Sequence, residues 1–304
     1  MKKKAGEYNG YVAMNYLVTA KRTYKGSGII LSLFFSVLFC FSGCRSNVDR
    51  SSDGEYFKFG AVADIQYADK DQRWSSYYRE SLGLLKNAVA HFNELQPSFV
   101  IQLGDLIDGH KNDPERSGVD MDMILAEYEK LKVPYYHVIG NYCVYVGIEE
   151  LKKKLGIDKF YYDFTHEKAE GWRFIVLNGM DGGHGVIGEK QLKWLKDTLQ
   201  KASDKNERVI IFCHFPLLAE ASGRHRMTKP EPVIEVIDKF DNIAGWFAGH
   251  HHKGGYAKRK GVHHVTLKAM VEAPENNAYS IIKLYKNKIE ITGYGDETDR
   301  KLPF

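Results

Sequence analysis

Five short clusters of metal-type ligands recur along this chain, each where an apolar run ends: Asp64-Ile65-Gln66, Gly104-Asp105, Gly140-Asn141, His214 and Gly249-His250-His251-His252. Carboxylate, amide and imidazole groups arriving from separate strand ends can surround a pair of divalent cations. Such ions make a water nucleophilic near neutral pH, so the set reads as a hydrolase centre. Singly, each cluster is weak, because a strand-end Asp commonly serves as a turn or cap residue. Together they exceed what turn chemistry requires. The two oxygens of Asp105 could bridge two ions, and His250 and His252 could ligate neighbouring ions with His251 turned elsewhere. His91, His110, His137, His166, His184, His225, His263 and His264 lack such framing and read as surface or core residues.

The elements that must position these groups alternate. Phe57–Ala63, Phe99–Leu103, Tyr135–Ile139, Trp172–Leu177, Arg208–Cys213 and Ile243–Ala248 read as strands. Helices are expected over Trp74–Leu95, Val119–Leu131, Ile148–Leu155, Glu189–Gln200 and Pro232–Phe240, the first stopped by Pro97. Near the C-terminus the texture changes. Val262–Leu267, Tyr279–Leu284 and Lys288–Ile291 read as short strands without helices, an expected antiparallel finish to a second sheet. Residues 56–304 therefore read as one α/β domain with two sheets flanked by helices.

The chain has 304 residues with 43% hydrophobic and 27% charged, an ordinary globular balance. Its formal charge of +4 comes from the first 43 residues, which hold six Lys/Arg and one acid; the remainder carries 37 bases and 38 acids. No nucleic-acid surface is expected. Lys21, Arg22 and Lys25 precede an apolar run, Ile29–Phe41, that ends in Ser42-Gly43-Cys44. Thirteen residues suit a signal-peptide core and fall short of the roughly 20 that span a bilayer. Small residues before a cysteine resemble a bacterial lipoprotein processing site. On that resemblance residues 1–43 are a signal peptide and Cys44 carries the lipid. Polar residues 44–55 form a tether, and the domain is membrane-anchored outside the cytoplasm, on the periplasmic or surface side. An uncleaved anchor is the alternative, since Phe41 stands where leucine is usual, and Met14 competes with Met1 as the start. Cys143 and Cys213 are expected to be buried thiols, with a disulfide as the alternative.

The series Asp64-x-Gln66, Gly104-Asp105-x-x-Asp108, Gly140-Asn141, His214 and Gly249-His250-x-His252 resembles the calcineurin-like metallophosphoesterase superfamily, in that family's order. Gln66 in place of the usual His, with Ala63–Asp69, Trp172–Gly179, Ile187–Leu195, Gly254-Gly255-Tyr256 and Gly295-Asp296-x-x-Asp299-Arg300, resembles its manganese-dependent ADP-ribose/CDP-alcohol diphosphatase branch. The resemblance implies a four-layer α/β/β/α sandwich with two mixed sheets. It also implies two divalent metals, manganese with iron or zinc as alternatives. Asp64, Gln66 and His252 would hold one ion and Asn141, His214 and His250 the other, with Asp105 between them. A metal-bridging hydroxide would attack phosphorus in a nucleotide or phosphate-ester small molecule of the ADP-ribose/CDP-alcohol type.

One position departs from the pattern. Tyr142 follows Asn141 where the superfamily writes the histidine credited with helping the leaving group depart. A phenol of pKa about 10 donates a hydrogen bond but is a poor proton shuttle near pH 7. Reduced turnover is therefore expected. The alternatives are a metal-binding homologue without useful turnover, or a phosphomonoesterase or phosphodiesterase of the same superfamily. The loop Ala219–Arg226 could bring Arg224 or Arg226 to a substrate phosphate, or be a solvated basic loop.

Overall fold

A computed structural model describes residues 56–304; the expected signal segment 1–43, the lipid site Cys44 and the tether 44–55 lie outside the described residues. Period-two patterning explains the layers. Along β1 (Phe57–Val62) Phe57, Phe59 and Ala61 face one apolar core while Val62 faces another. Ile101 and Val100 of β2 (Val100–Gln102) divide in the same way. A strand fed from both faces must be covered on both, by a second sheet on one side and helices on the other.

The helix-covered face of the first sheet receives α1 (Glu80–Leu95), α2 (Pro114–Tyr128) and, after β3 (Tyr135–His137), α3 (Ile148–Leu155). The second sheet follows with β4 (Tyr162–Phe164), β5 (Trp172–Leu177), α4 (Glu189–Asp204), β6 (Arg208–Cys213), α5 (Glu231–Ile237) and β7 (Ile243–Ala248). The chain ends in β8 (Lys253–Arg259), β9 (Val262–Lys268), β10 (Ala278–Leu284), β11 (Lys288–Gly295) and β12 (Arg300–Pro303). The sheets have six strands each, in the orders β12-β11-β10-β1-β2-β3 and β4-β5-β6-β7-β9-β8. Both are mixed: β1–β2–β3 and β5–β6–β7–β9 run parallel, and the remaining pairs are antiparallel. Helices α4 and α5 cover the outer face of the second sheet, which completes the four-layer α/β/β/α sandwich. Aromatic rings lock the sheets together. Phe59 stacks on Phe99 at 5.0 Å and meets Phe212 edge-on at 5.7 Å. Each fully buried ring of this kind contributes about 1.5–3 kcal/mol.

Four expectations change. The first helix begins at Glu80, not Trp74, because Arg73 and Ser76 exchange backbone hydrogen bonds and Trp74 closes the turn with φ 52°. The second begins at Pro114 rather than Val119, capped by Asp113, whose side chain accepts from the Arg116 N–H at 2.9 Å. Tyr279–Leu284 and Lys288–Gly295 return to the first sheet, where β10 lies antiparallel to β1 with Phe57 opposite Leu284. β10 sends Ile282 and Leu284 to the inter-sheet core and Ile281 to the helix core, so it needs a site covered on both faces. Only Val262–Lys268 stays in the second sheet, parallel to β7, and the hairpin partner β8 had no clear signal. Among the described residues no helix is long and apolar enough to cross a membrane.

Candidate metal centre

The parallel strands β1, β2 and β3 end at one edge of their sheet, β6 and β7 at one edge of theirs, and the loops that leave them interlock. The Asp64 N–H donates to the Gly104 carbonyl at 3.2 Å, the Gln66 N–H to the Asp105 carbonyl at 2.9 Å and the Gly249 N–H to the His214 carbonyl at 3.0 Å. These bonds demand unusual backbone. Asp64, Gln66, Asp105 and His250 all have positive φ, between 46° and 65°, which costs energy outside glycine and clusters where function requires it. Glycine is also enforced sterically. A Cβ at Gly104, where φ is 101°, would collide with the His214 ring; one at Gly140 would strike the Asp105 carboxylate, and one at Gly249 the Asp64 carboxylate.

The seven sequence candidates come together in two groups. His214, fully buried, has Nδ1 2.9 Å from the Leu103 carbonyl oxygen, so Nδ1 carries a proton and only Nε2 can bind a cation. That Nε2 lies 3.2 Å from Asn141 Oδ1, 3.2 Å from His250 Nδ1 and 3.1 Å from Asp105 Oδ2. In the second group His252 Nε2 lies 3.0 Å from the Gln66 amide nitrogen, which donates to it, and 3.8 Å from Asp64 Oδ1. Its Nδ1 is held by Glu272 Oε1 at 2.8 Å, a carboxylate–imidazole arrangement that fixes the tautomer and orients metal-binding histidines elsewhere. Each carboxylate has one oxygen tied down: Asp64 Oδ2 accepts from the His250 N–H at 2.8 Å, and Asp105 Oδ1 from the Tyr142 N–H at 2.7 Å. Of the other two oxygens, Asp64 Oδ1 is buried without a hydrogen-bond partner and Asp105 Oδ2 meets only the His214 ring.

Lone pairs facing one another in a buried site repel unless a cation lies between them, and orphaned carboxylate oxygens are expensive to bury. The donor set therefore suits divalent cations. Its electrostatics agree. Burial works against a charged His214, yet the Asp105 and Asp64 carboxylates outweigh it and raise its pKa to about 9, so without a cation Nε2 holds a proton toward Asp105 and a bound cation would take that proton's place. Burial raises Asp64 to about 6 against the pull of His214 and His252, and burial with the neighbouring histidines lowers His250 to about 2, keeping it a neutral donor.

Tyr142 is half-buried beside this centre, its hydroxyl pushed up to about 12 by burial and then by Asp108 and Asp105. It faces a cleft of ≈ 600 Å³ that also takes in Gln66, His250 and His252. Cys143 and Cys213 are buried free thiols, raised to about 12 chiefly by burial. Neither Arg224 nor Arg226 lines the cleft; His225 between them does, its ring stacked on His251 at 5.4 Å. His184 packs 5.6 Å from the His250 ring. His184, His225 and Glu272 thus adjoin the site without any motif to mark them. Glu272 in particular sits in a turn joined to Ala63 and Asp64 only by backbone bonds from Met270 and Val271.

Comparison with known proteins follows the same outline. A calcineurin-like phosphoesterase family model matches residues 57–254. A manganese-dependent ADP-ribose/CDP-alcohol diphosphatase of Arabidopsis thaliana is 33% identical over 80% of this chain and 94% of its own length. The Homo sapiens protein of that name is 26% identical over 84% and 96%. The crystal structure of a dimetal phosphatase from Danio rerio superposes with a TM-score of 0.74, at 27% identity over 82% of this chain and 99% of that one.

Proposed function

The chain belongs to the calcineurin-like phosphoesterase family, metal-dependent hydrolases of phosphorus esters and anhydrides, and on that premise we propose that it cleaves the phosphoanhydride of nucleoside-diphosphate-linked small molecules. The observation that carries this reading is the convergence of carboxylate, amide and imidazole groups on two points beside the cleft. Asp64, Gln66 and His252 would hold one ion, Asn141, His214 and His250 the other, with Asp105 shared. Manganese is favoured by the names of the relatives. When bound, the ions activate a water and neutralise charge on the phosphoryl oxygens.

The chain's own groups favour an anhydride. Tyr142, with its pKa near 12, can hold a phosphoryl or leaving-group oxygen by donating a hydrogen bond but does not deliver a proton at neutral pH. A phosphate monoester, with a second pKa of about 6, departs without one. An alkoxide does not, which disfavours simple alkyl phosphomonoesters. The cleft wall suits a nucleotide, with Lys70, Arg73, Lys111 and Lys253 for phosphates and Trp74, 83% exposed, for a flat ring.

Tyr142 also carries a second reading, a metal-binding homologue with little turnover. A panel on the purified manganese-loaded chain separates them. ADP-ribose and CDP-choline should be hydrolysed well above a His250→Ala control, and alkyl phosphomonoesters should not. Absence of turnover on every substrate, in protein that holds its metals, would leave the second reading standing.

A further inference from the structure

Four cations line the cleft, and they differ in how they are held. Arg73 lies over the Trp74 ring at 4.5 Å, and no hydrogen bond or ion pair anchors the charged groups of Arg73, Lys111 or Lys253 among the described residues. The Lys70 ammonium, by contrast, donates to Asp108 Oδ2 and to the Gly109 carbonyl at 3.0 Å, and lies 4.8 Å from the centroid of the Tyr78 ring. An ammonium has three N–H groups, so one is left for a further acceptor. Its side chain is 31% exposed and lines the cleft together with Tyr142, His250 and His252.

A purely structural role is already filled. The loops bearing Lys70 and Asp108 are joined by backbone bonds, from the Tyr67 N–H to the Leu106 carbonyl and from the Asp108 N–H to the Tyr67 carbonyl, both 3.1 Å. Among the described residues no hydrogen bond links Lys70 to any of the seven donors, so its third N–H is available to an oxygen that those donors do not hold.

We propose that Lys70, held by Asp108 and Gly109, binds the phosphate adjacent to the one under attack and selects substrates with two linked phosphates. The proposal rests on the hydrolase reading for its biological meaning, but its test does not need turnover. Binding to the manganese-loaded full chain is measured by calorimetry with two probes, AMP and its non-hydrolysable α,β-methylene diphosphate counterpart. Lys70→Met should weaken the diphosphate about tenfold and AMP less than about twofold, the range expected for loss of one charge-assisted hydrogen bond. Lys70→Arg should restore most of the affinity, and metal content and thermal midpoint should match the parent chain. The Lys70→Met/Asp108→Asn pair removes the cation without leaving a carboxylate unpartnered, and should behave as Lys70→Met does. Equal weakening of both probes, or unchanged binding of the diphosphate, would overturn the proposal. Selective weakening in a chain that hydrolyses nothing would uphold the phosphate site and defeat the hydrolase reading.

Discussion

At position 142 a half-buried phenol occupies the place from which a proton would reach the leaving group, and its raised pKa keeps it neutral across the physiological range. Tyr142→His should therefore accelerate hydrolysis selectively. The gain should be about tenfold or more for substrates whose leaving group needs protonation, such as an alkyl phosphodiester, and small for ADP-ribose. Steady-state rates on the two substrates check this, and an equal gain on both would show that Tyr142 is not what limits the leaving group. The seven donors were legible in the sequence because each follows an apolar strand and three are preceded by a glycine that the packing demands. Glu272, His184, His225 and Lys70 were not. They reach the site through loop geometry, and nothing in their neighbours' types distinguishes them from surface residues.

At the scale of elements, the site exists because strand ends approach more closely than a methyl group allows. Gly104→Ala sets a side chain against the His214 ring at a backbone angle that side chains avoid, a strain on the order of 1–3 kcal/mol. The variant should fold with a lowered thermal midpoint, lose at least one metal equivalent and lose about 100-fold or more in rate. Normal metal content in Gly104→Ala would contradict the packing argument. Apolar runs such as Ile243–Ala248 were readable to the residue, since a strand buried on both faces has no competing pattern. The start of α1 was not, because Tyr77 and Tyr78 continue the apolar rhythm while Trp74 turns the chain toward the cleft. Short β4 and β12 take their strand character from the longer strands they pair with, β5 and β11, rather than from their own few residues.

For the whole molecule, the return of β10 and β11 to the first sheet was beyond reach of the sequence, as either sheet offers an edge and only packing against β1 decides. The same burial predicts acid lability. His137 and His264 are lowered to about 4, His137 by burial and His264 by burial and then Arg259, against 6.5 in an unfolded chain. Between pH 6.5 and 4 the unfolded chain takes up protons that the folded one refuses. The stability these two histidines allow is thus complete above about pH 6.5 and falls as pH drops, by about 1.4 kcal/mol per unit for each histidine. Urea unfolding at several pH values should show this limb, and His264→Leu should make it shallower; an unchanged slope would remove His264 from the account.

If seven donors from two sheets form one divalent-metal centre that drives phosphoanhydride hydrolysis, activity must follow metal occupancy. The most direct test is a manganese titration of the metal-stripped chain, following ADP-ribose hydrolysis. Activity should be absent without metal, rise on addition and reach a plateau at two equivalents per chain, with His250→Ala remaining inactive throughout. Full activity in the stripped protein, or a plateau that His250→Ala reaches equally, would contradict that dependence.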